Sequence, residues 1–165
     1  MQKQARIIVI SIFLLAAIGL SLYFRPMLPN CVPVHFNASG APDGYGPKSA
    51  LLVLTPAVQA FLAFLYLVSV RVVQTEKYWL KKMRKPLEPA VIQELINRTV
   101  RFLDWLFLLC LFLFLDIQFE SLLVAAGKMG GLSKLIWIIM PLMFAGVILY
   151  LASVISVQRQ SGKGR

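Results

Sequence analysis

The chain has 165 residues, of which 59% are apolar and only 15% charged, with a formal net charge of +10. Soluble domains carry roughly a quarter charged residues, so an ordinary water-soluble fold is excluded. The basic excess does not point to nucleic acid either. The positive residues flank hydrophobic runs and leave no room for a nucleic-acid-binding fold. Attraction to anionic lipid headgroups, about 1 kcal/mol per basic residue near the surface, accounts for it.

The apolar residues concentrate in four blocks: Ile7–Phe24, Ala50–Val70, Phe102–Phe119 and Leu135–Val157. A bilayer core about 30 Å thick needs roughly 20 helical residues, and each block approaches that length. Open backbone in lipid is costly and four segments cannot close a barrel, so each block is predicted to be a transmembrane helix. The fold class is an all-α membrane protein, a four-transmembrane-helix bundle forming a single membrane domain over 1–165.

The first block follows Lys3 and Arg6, as a secretory signal would, but Leu22-Tyr-Phe-Arg-Pro26 is not a small-residue cleavage site. It is therefore read as a retained span. Its Ala16, Ala17, Gly19 and Ser21 form a small-residue stripe suited to close helix packing.

Between the first and second blocks lies a polar island, Arg25 to Ser49, with five prolines and three glycines. Val32, Val34 and Phe36 alternate with Pro33, His35 and Asn37, the period of a strand with one apolar face. Asn37-Ala-Ser-Gly40 and Pro42-Asp-Gly44 are turn chemistry. The island is predicted to be an ordered cap resting on the helix ends.

The second block carries Pro56, expected to bend the helix or end a first turn, and Gln59, which must face the bundle to find a partner. Glu76–Lys85 mixes aromatic and basic residues, the composition of a headgroup-level anchor. A new amphipathic helix is predicted from Ala90, running into the third span. The fourth span is predicted to end at Gln158, before a disordered tail, Ser161–Arg165.

Twelve Lys and Arg residues fall in the N-terminal tail, the connection between the second and third spans, and the C-terminal tail. Four (Arg25, Lys48, Lys128, Lys134) fall on the other side. The imbalance predicts cytoplasmic termini and an outward-facing cap. Cys31 and Cys110 lie at different depths, so a disulfide between them is not expected.

The run Leu28-Pro-Asn-Cys-Val-Pro-Val-His-Phe-Asn-Ala-Ser-Gly-Ala-Pro-Asp-Gly-Tyr-Gly-Pro-Lys48, set between two spans, resembles the bacterial domain of unknown function 1648 over about residues 8–70. That domain forms the N-terminal module of SdpI-like immunity proteins, which protect a toxin producer from its own secreted toxin. The resemblance implies a multi-pass protein of the bacterial plasma membrane.

His35, the single histidine, can ligate metal or move protons. Asp116 and Glu120 share one helix face at i, i+4 and emerge at the cap end of the third span. With Asp43 they form a candidate divalent-ion set of one nitrogen and three carboxylates. Phe36, Asn37 and Gly40 complete the candidate recognition residues. In the alternative reading, His35 and Asn37 bond loop backbone while Glu120 reaches water. Asp104 is expected to pair with Arg101 at i, i+3, and Asp116 with His35, Lys48 or Lys134. No cofactor is expected, since no nucleotide, haem or triad signature is present, and enzymatic activity is not anticipated.

Three functions fit these residues. The first is non-enzymatic recognition or toxin immunity, with the cap engaging an envelope peptide or protein. The second is an ion- or metal-dependent transporter or sensor using the His/Asp/Glu layer. The third is a structural subunit of a membrane assembly.

Overall fold

The computed structural model describes residues 3–75 and 88–163. Helix α1 (Lys3–Phe24) passes through a 3-10 turn (Arg25–Met27) into strands β1 (Cys31–Phe36) and β2 (Pro42–Pro47). Helices α2 (Lys48–Val73), α3 (Pro89–Ala125) and α4 (Ile136–Lys163) follow. Among the described residues these four helices are long and apolar enough to cross a membrane. The protein is a multi-pass integral membrane protein. The expected anchor at Glu76–Lys85 lies outside the described residues.

Three expectations about the helices need correcting. Pro56 does not end a separate first turn of α2, which runs through it. One residue before it, Thr55 Oγ1 donates back to the Leu51 carbonyl at 3.1 Å. The fourth helix does not stop at Gln158 but continues to Lys163. The small-residue stripe on α1 is used only in part: Ala17 and Ser21 are buried, but Gly19 is exposed with nothing near it.

The extended third helix is as expected, 37 residues without a Gly or Pro after its first position. It stops at a glycine in the left-handed region, Gly127 with φ +71°. There Lys128 N–H donates to the Leu123 carbonyl at 2.9 Å and Gly127 N–H to the Val124 carbonyl at 3.0 Å. These bonds satisfy end carbonyls that the helix itself cannot.

Helices α1, α2 and α3 pack on one another, while α4 packs chiefly on α3. Only 6% of the α4 span is buried, against 39% for α3, so α4 is a peripheral strut and α3 the central mast. Phe102 and Tyr150 stack at 4.3 Å, and the hydroxyls of Thr99 and Tyr150 lie 2.8 Å apart, fixing the strut.

The core is layered along α3. The end opposite the hairpin holds Val73, Ile92, Leu95, Ile96, Val100 and Val157. The middle holds Ile10, Ala63, Tyr66, Val70, Phe107 and Leu111. Under the hairpin lie Phe24, Leu28, Val32, Leu51, Leu122 and Ala125. The cap thus contributes its own residues, Leu28 and Val32, to the bundle core.

Candidate functional site

The cap is an antiparallel hairpin pairing Cys31 with Pro47, Val32 with Gly46, Pro33 with Tyr45, His35 with Gly44 and Phe36 with Pro42. The register skips at Val34 and again at Asp43, so one residue on each strand is left without an opposite number. A bulge of this kind breaks strict alternation. That is why the predicted apolar face holds only in part: Val32 is fully buried, Phe36 half-buried, and Val34 is 43% exposed. Pro33, assigned to the polar face, is buried instead.

The turn is built as its residues dictate. Asn37 Oδ1 accepts from Ser39 N–H at 3.0 Å, Ser39 Oγ at 2.7 Å and Ala41 N–H at 3.1 Å. Gly40 takes φ +85°, and its carbonyl accepts the Leu132 N–H at 2.8 Å. A Cβ at Gly40 would lie 2.5 Å from the Leu132 carbonyl oxygen, so backbone meets backbone here. On the second wall, Glu120 accepts the Ser133 N–H at 2.8 Å. Lys48 closes the hairpin base, its N–H donating to the Asn30 carbonyl at 3.0 Å.

Between the turn and the α3–α4 connection lies a recess of about 630 Å³. Phe36, Asn37, Ser39 and Gly40 form one wall, with Ser133, Lys134 and Trp137 on the other. Of the expected recognition residues, Phe36, Asn37 and Gly40 therefore come together here. His35 and Asp43 pair with each other, Nδ1 to Oδ1 at 2.5 Å, on the exposed hairpin. Glu120 does not reach only water but holds the opposing wall.

The proposed ion layer is not assembled. Among the described residues no group of three or more His, Cys, Asp or Glu is placed to hold a metal ion, so His35, Asp43, Asp116 and Glu120 do not converge. The bulge points His35 along the hairpin to Asp43, and Glu120 is committed to Ser133. Asp116 is half-buried and makes no hydrogen bond or ion pair with His35, Lys48 or Lys134.

A second polar constellation lies inside the bundle. Arg6 donates to both carboxylate oxygens of Asp104, at 2.9 and 3.2 Å, and the Tyr66 hydroxyl donates to the same carboxylate. Both charged side chains are buried, at 8% and 7% exposure. The expected Arg101–Asp104 pair is replaced by this one, because Asp104 faces the α1–α2 side while Arg101 lies 3.9 Å from Glu94. Deeper, Gln59 Nε2 donates to Gln118 Oε1 at 3.2 Å. Gln118 Nε2 donates to the Ala17 carbonyl at 2.8 Å and to Ser21 Oγ at 3.0 Å. The expectation that Gln59 faces the bundle is met.

Sequence reading missed Leu132, Ser133 and Trp137 as cap partners. It also missed the Arg6–Tyr66–Asp104 cluster, whose signal was an acid inside an apolar run and a cation at the start of the first such run.

Comparison with curated proteins and with solved structures returned no match to this chain. Residues 12–60, which span most of α1, the whole hairpin and the first half of α2, match the family described as Domain of unknown function (DUF1648), and the resemblance seen in the hairpin sequence is to that family.

Proposed function

We propose that the protein is a non-enzymatic membrane recognition protein, immunity-like in role, whose hairpin cap faces the outside of a bacterial plasma membrane and binds an envelope peptide. The observation that carries this reading is the recess between the hairpin turn and the α3–α4 connection. Its volume falls within the range of about 300–1,000 Å³ common to ligand pockets. It combines aromatic surface (Phe36, Trp137) with polar groups (Asn37, Ser39, Ser133, Lys134). The walls are joined by the Leu132-to-Gly40 backbone bond and the second wall is tied to α3 by Glu120, so little ordering entropy is lost on binding. The His35–Asp43 pair, on the same hairpin, offers an exposed polar handle next to it.

Two measurements test the reading. A membrane-impermeant thiol reagent applied to intact bacteria should label Cys31, the exposed cysteine of the hairpin. Labelling only after permeabilisation would overturn the outward cap. Expression in strains sensitive to envelope-active peptides should protect against at least one peptide, and Trp137→Ala should abolish that protection. Unchanged killing across the panel would sink the immunity-like role.

A further inference from the structure

A larger cavity opens at the end of the bundle opposite the hairpin, between α1, α2 and α3, with a volume of about 1050 Å³. Its chemistry is graded. Ile7, Phe64, Leu67 and Val68 line its apolar part, and all four remain exposed. Lys3, Arg71 and Arg101 line its polar part, with Gln74, Gln93 and Asn97 beside them. Among the described residues no Asp or Glu lines it.

Helical spacing produces this gradient. On α2, Phe64, Leu67 and Val68 lie one to two turns before Arg71 and Gln74 on the same face. On α3, Gln93, Asn97 and Arg101 repeat at i, i+4 and i+8, and Gln93 Nε2 donates to Asn97 Oδ1 at 3.1 Å. Arg6 forms the floor, but its charge is already matched by Asp104 at 2.9 Å. The cations at the mouth are not matched in this way. Arg101 is 69% exposed and only 3.9 Å from Glu94 at its nearest, too far for a hydrogen bond.

We propose that this cavity is a binding site for one anionic phospholipid, with its phosphate among Lys3, Arg71 and Arg101 and its acyl chains along Ile7, Phe64 and Leu67. Charge complementarity selects this occupant. A zwitterionic lipid would leave Lys3, Arg71 and Arg101 with only Glu94, 3.9 Å from Arg101, to offset them, and a soluble phosphate would leave the apolar wall without a partner. The site is independent of the hairpin recess at the other end of the bundle.

Native mass spectrometry of the full chain, released from nanodiscs of phosphatidylcholine containing phosphatidylglycerol, tests the proposal. The expected result is one retained phosphatidylglycerol per chain in preference to phosphatidylcholine. Arg71→Gln and Arg101→Gln should each lower that retention about fivefold. Arg98→Gln, at the same level of α3 but outside this cavity, in a groove with Trp105 and Tyr150 that Arg101 also borders, should lower it far less. Thermal unfolding of each variant, within a few degrees of wild type, confirms that the fold is intact. Equal loss in all three variants would mean diffuse charge attraction and would overturn the site. So would absence of saturable retention in the wild type, or displacement of the lipid by millimolar inorganic phosphate.

Discussion

The hairpin cap and the bundle interior handle polar groups in opposite ways. Inside the bundle, Arg6, Tyr66 and Asp104 bond one another, as do Gln59, Gln118 and Ser21, all buried, with only Gln59 Oε1 left unbonded among the buried side-chain atoms of the described residues. In the cap, His35, Asn37, Ser39 and Asp43 bond only to near neighbours in sequence and remain exposed. An interior polar group without a partner is expensive in hydrocarbon, so those residues are committed to one another. Cap residues have water as an alternative and keep capacity for a ligand. Polar residues in the spans therefore hold this structure together, and those in the cap are the ones that the proposed recognition would use.

The contrast can be broken most forcefully at Asp104. Asp104→Ala should destabilise the protein by about 3–5 kcal/mol, because Arg6 is left as a buried unmatched charge. Denaturation in mild detergent reads this, and adding Arg6→Met should restore much of the loss. A double variant no more stable than Asp104→Ala would show that the ion pair is not what the carboxylate supplies.

The next effect is expected at the joint between the two regions. Val32→Asp places a charge in a site with 0% exposure, and the cost should be at least about 2 kcal/mol. Proteolysis should then cut the hairpin rapidly while the helices survive. Equal resistance to protease would mean the cap is not anchored through Val32.

Within the bundle, Gln118→Leu removes three interhelical hydrogen bonds, to Ala17, Ser21 and Gln59. Such bonds in membranes average about 0.6 kcal/mol each, so the loss should be about 1–2 kcal/mol. Gly40→Ala should cost about 1–2 kcal/mol, since it combines a left-handed backbone with a clash at the Leu132 carbonyl. Its effect should be local, loosening the recess and exposing 36–42 and 130–134 to protease before any helix melts.

The smallest stability change belongs to His35→Ala. An exposed pair is worth about 0–1 kcal/mol, so unfolding should barely shift. Any loss of peptide protection in that variant would then be a loss of recognition. A large destabilisation would instead move His35 into the structural class.

Much of the architecture is legible in the chain because lipid leaves few choices. Four apolar runs of spanning length must be helices, and an unbroken run from Ala90 to Ala125 without Gly or Pro had to be one long helix. The cap was readable in part: alternation over residues 32–36 gave its first strand and Asn-x-x-Gly its turn, but the second strand, Pro42–Pro47, read only as turn chemistry. The bulge at Val34 left no local signal, and it undid half of the predicted apolar face.

The partners of isolated charges were not legible. Asp104 has Arg101 one turn away, yet it bonds Arg6, which is 98 positions distant in the chain. Sequence spacing ranks only contacts within a helix, whereas rotation of α3 about its axis decides which neighbour a carboxylate meets. The same reason defeated the ion layer. His35, Asp43, Asp116 and Glu120 lie toward one end of the molecule, but His35 and Asp43 bond each other, Glu120 bonds Ser133, and Asp116 joins neither. Composition and hydropathy by themselves thus determined the number of spans, their lengths and the place of the cap, since those follow from the solvent. Only tertiary packing decided which polar groups were consumed in holding helices together, because that depends on helix rotation and register, which no local pattern encodes.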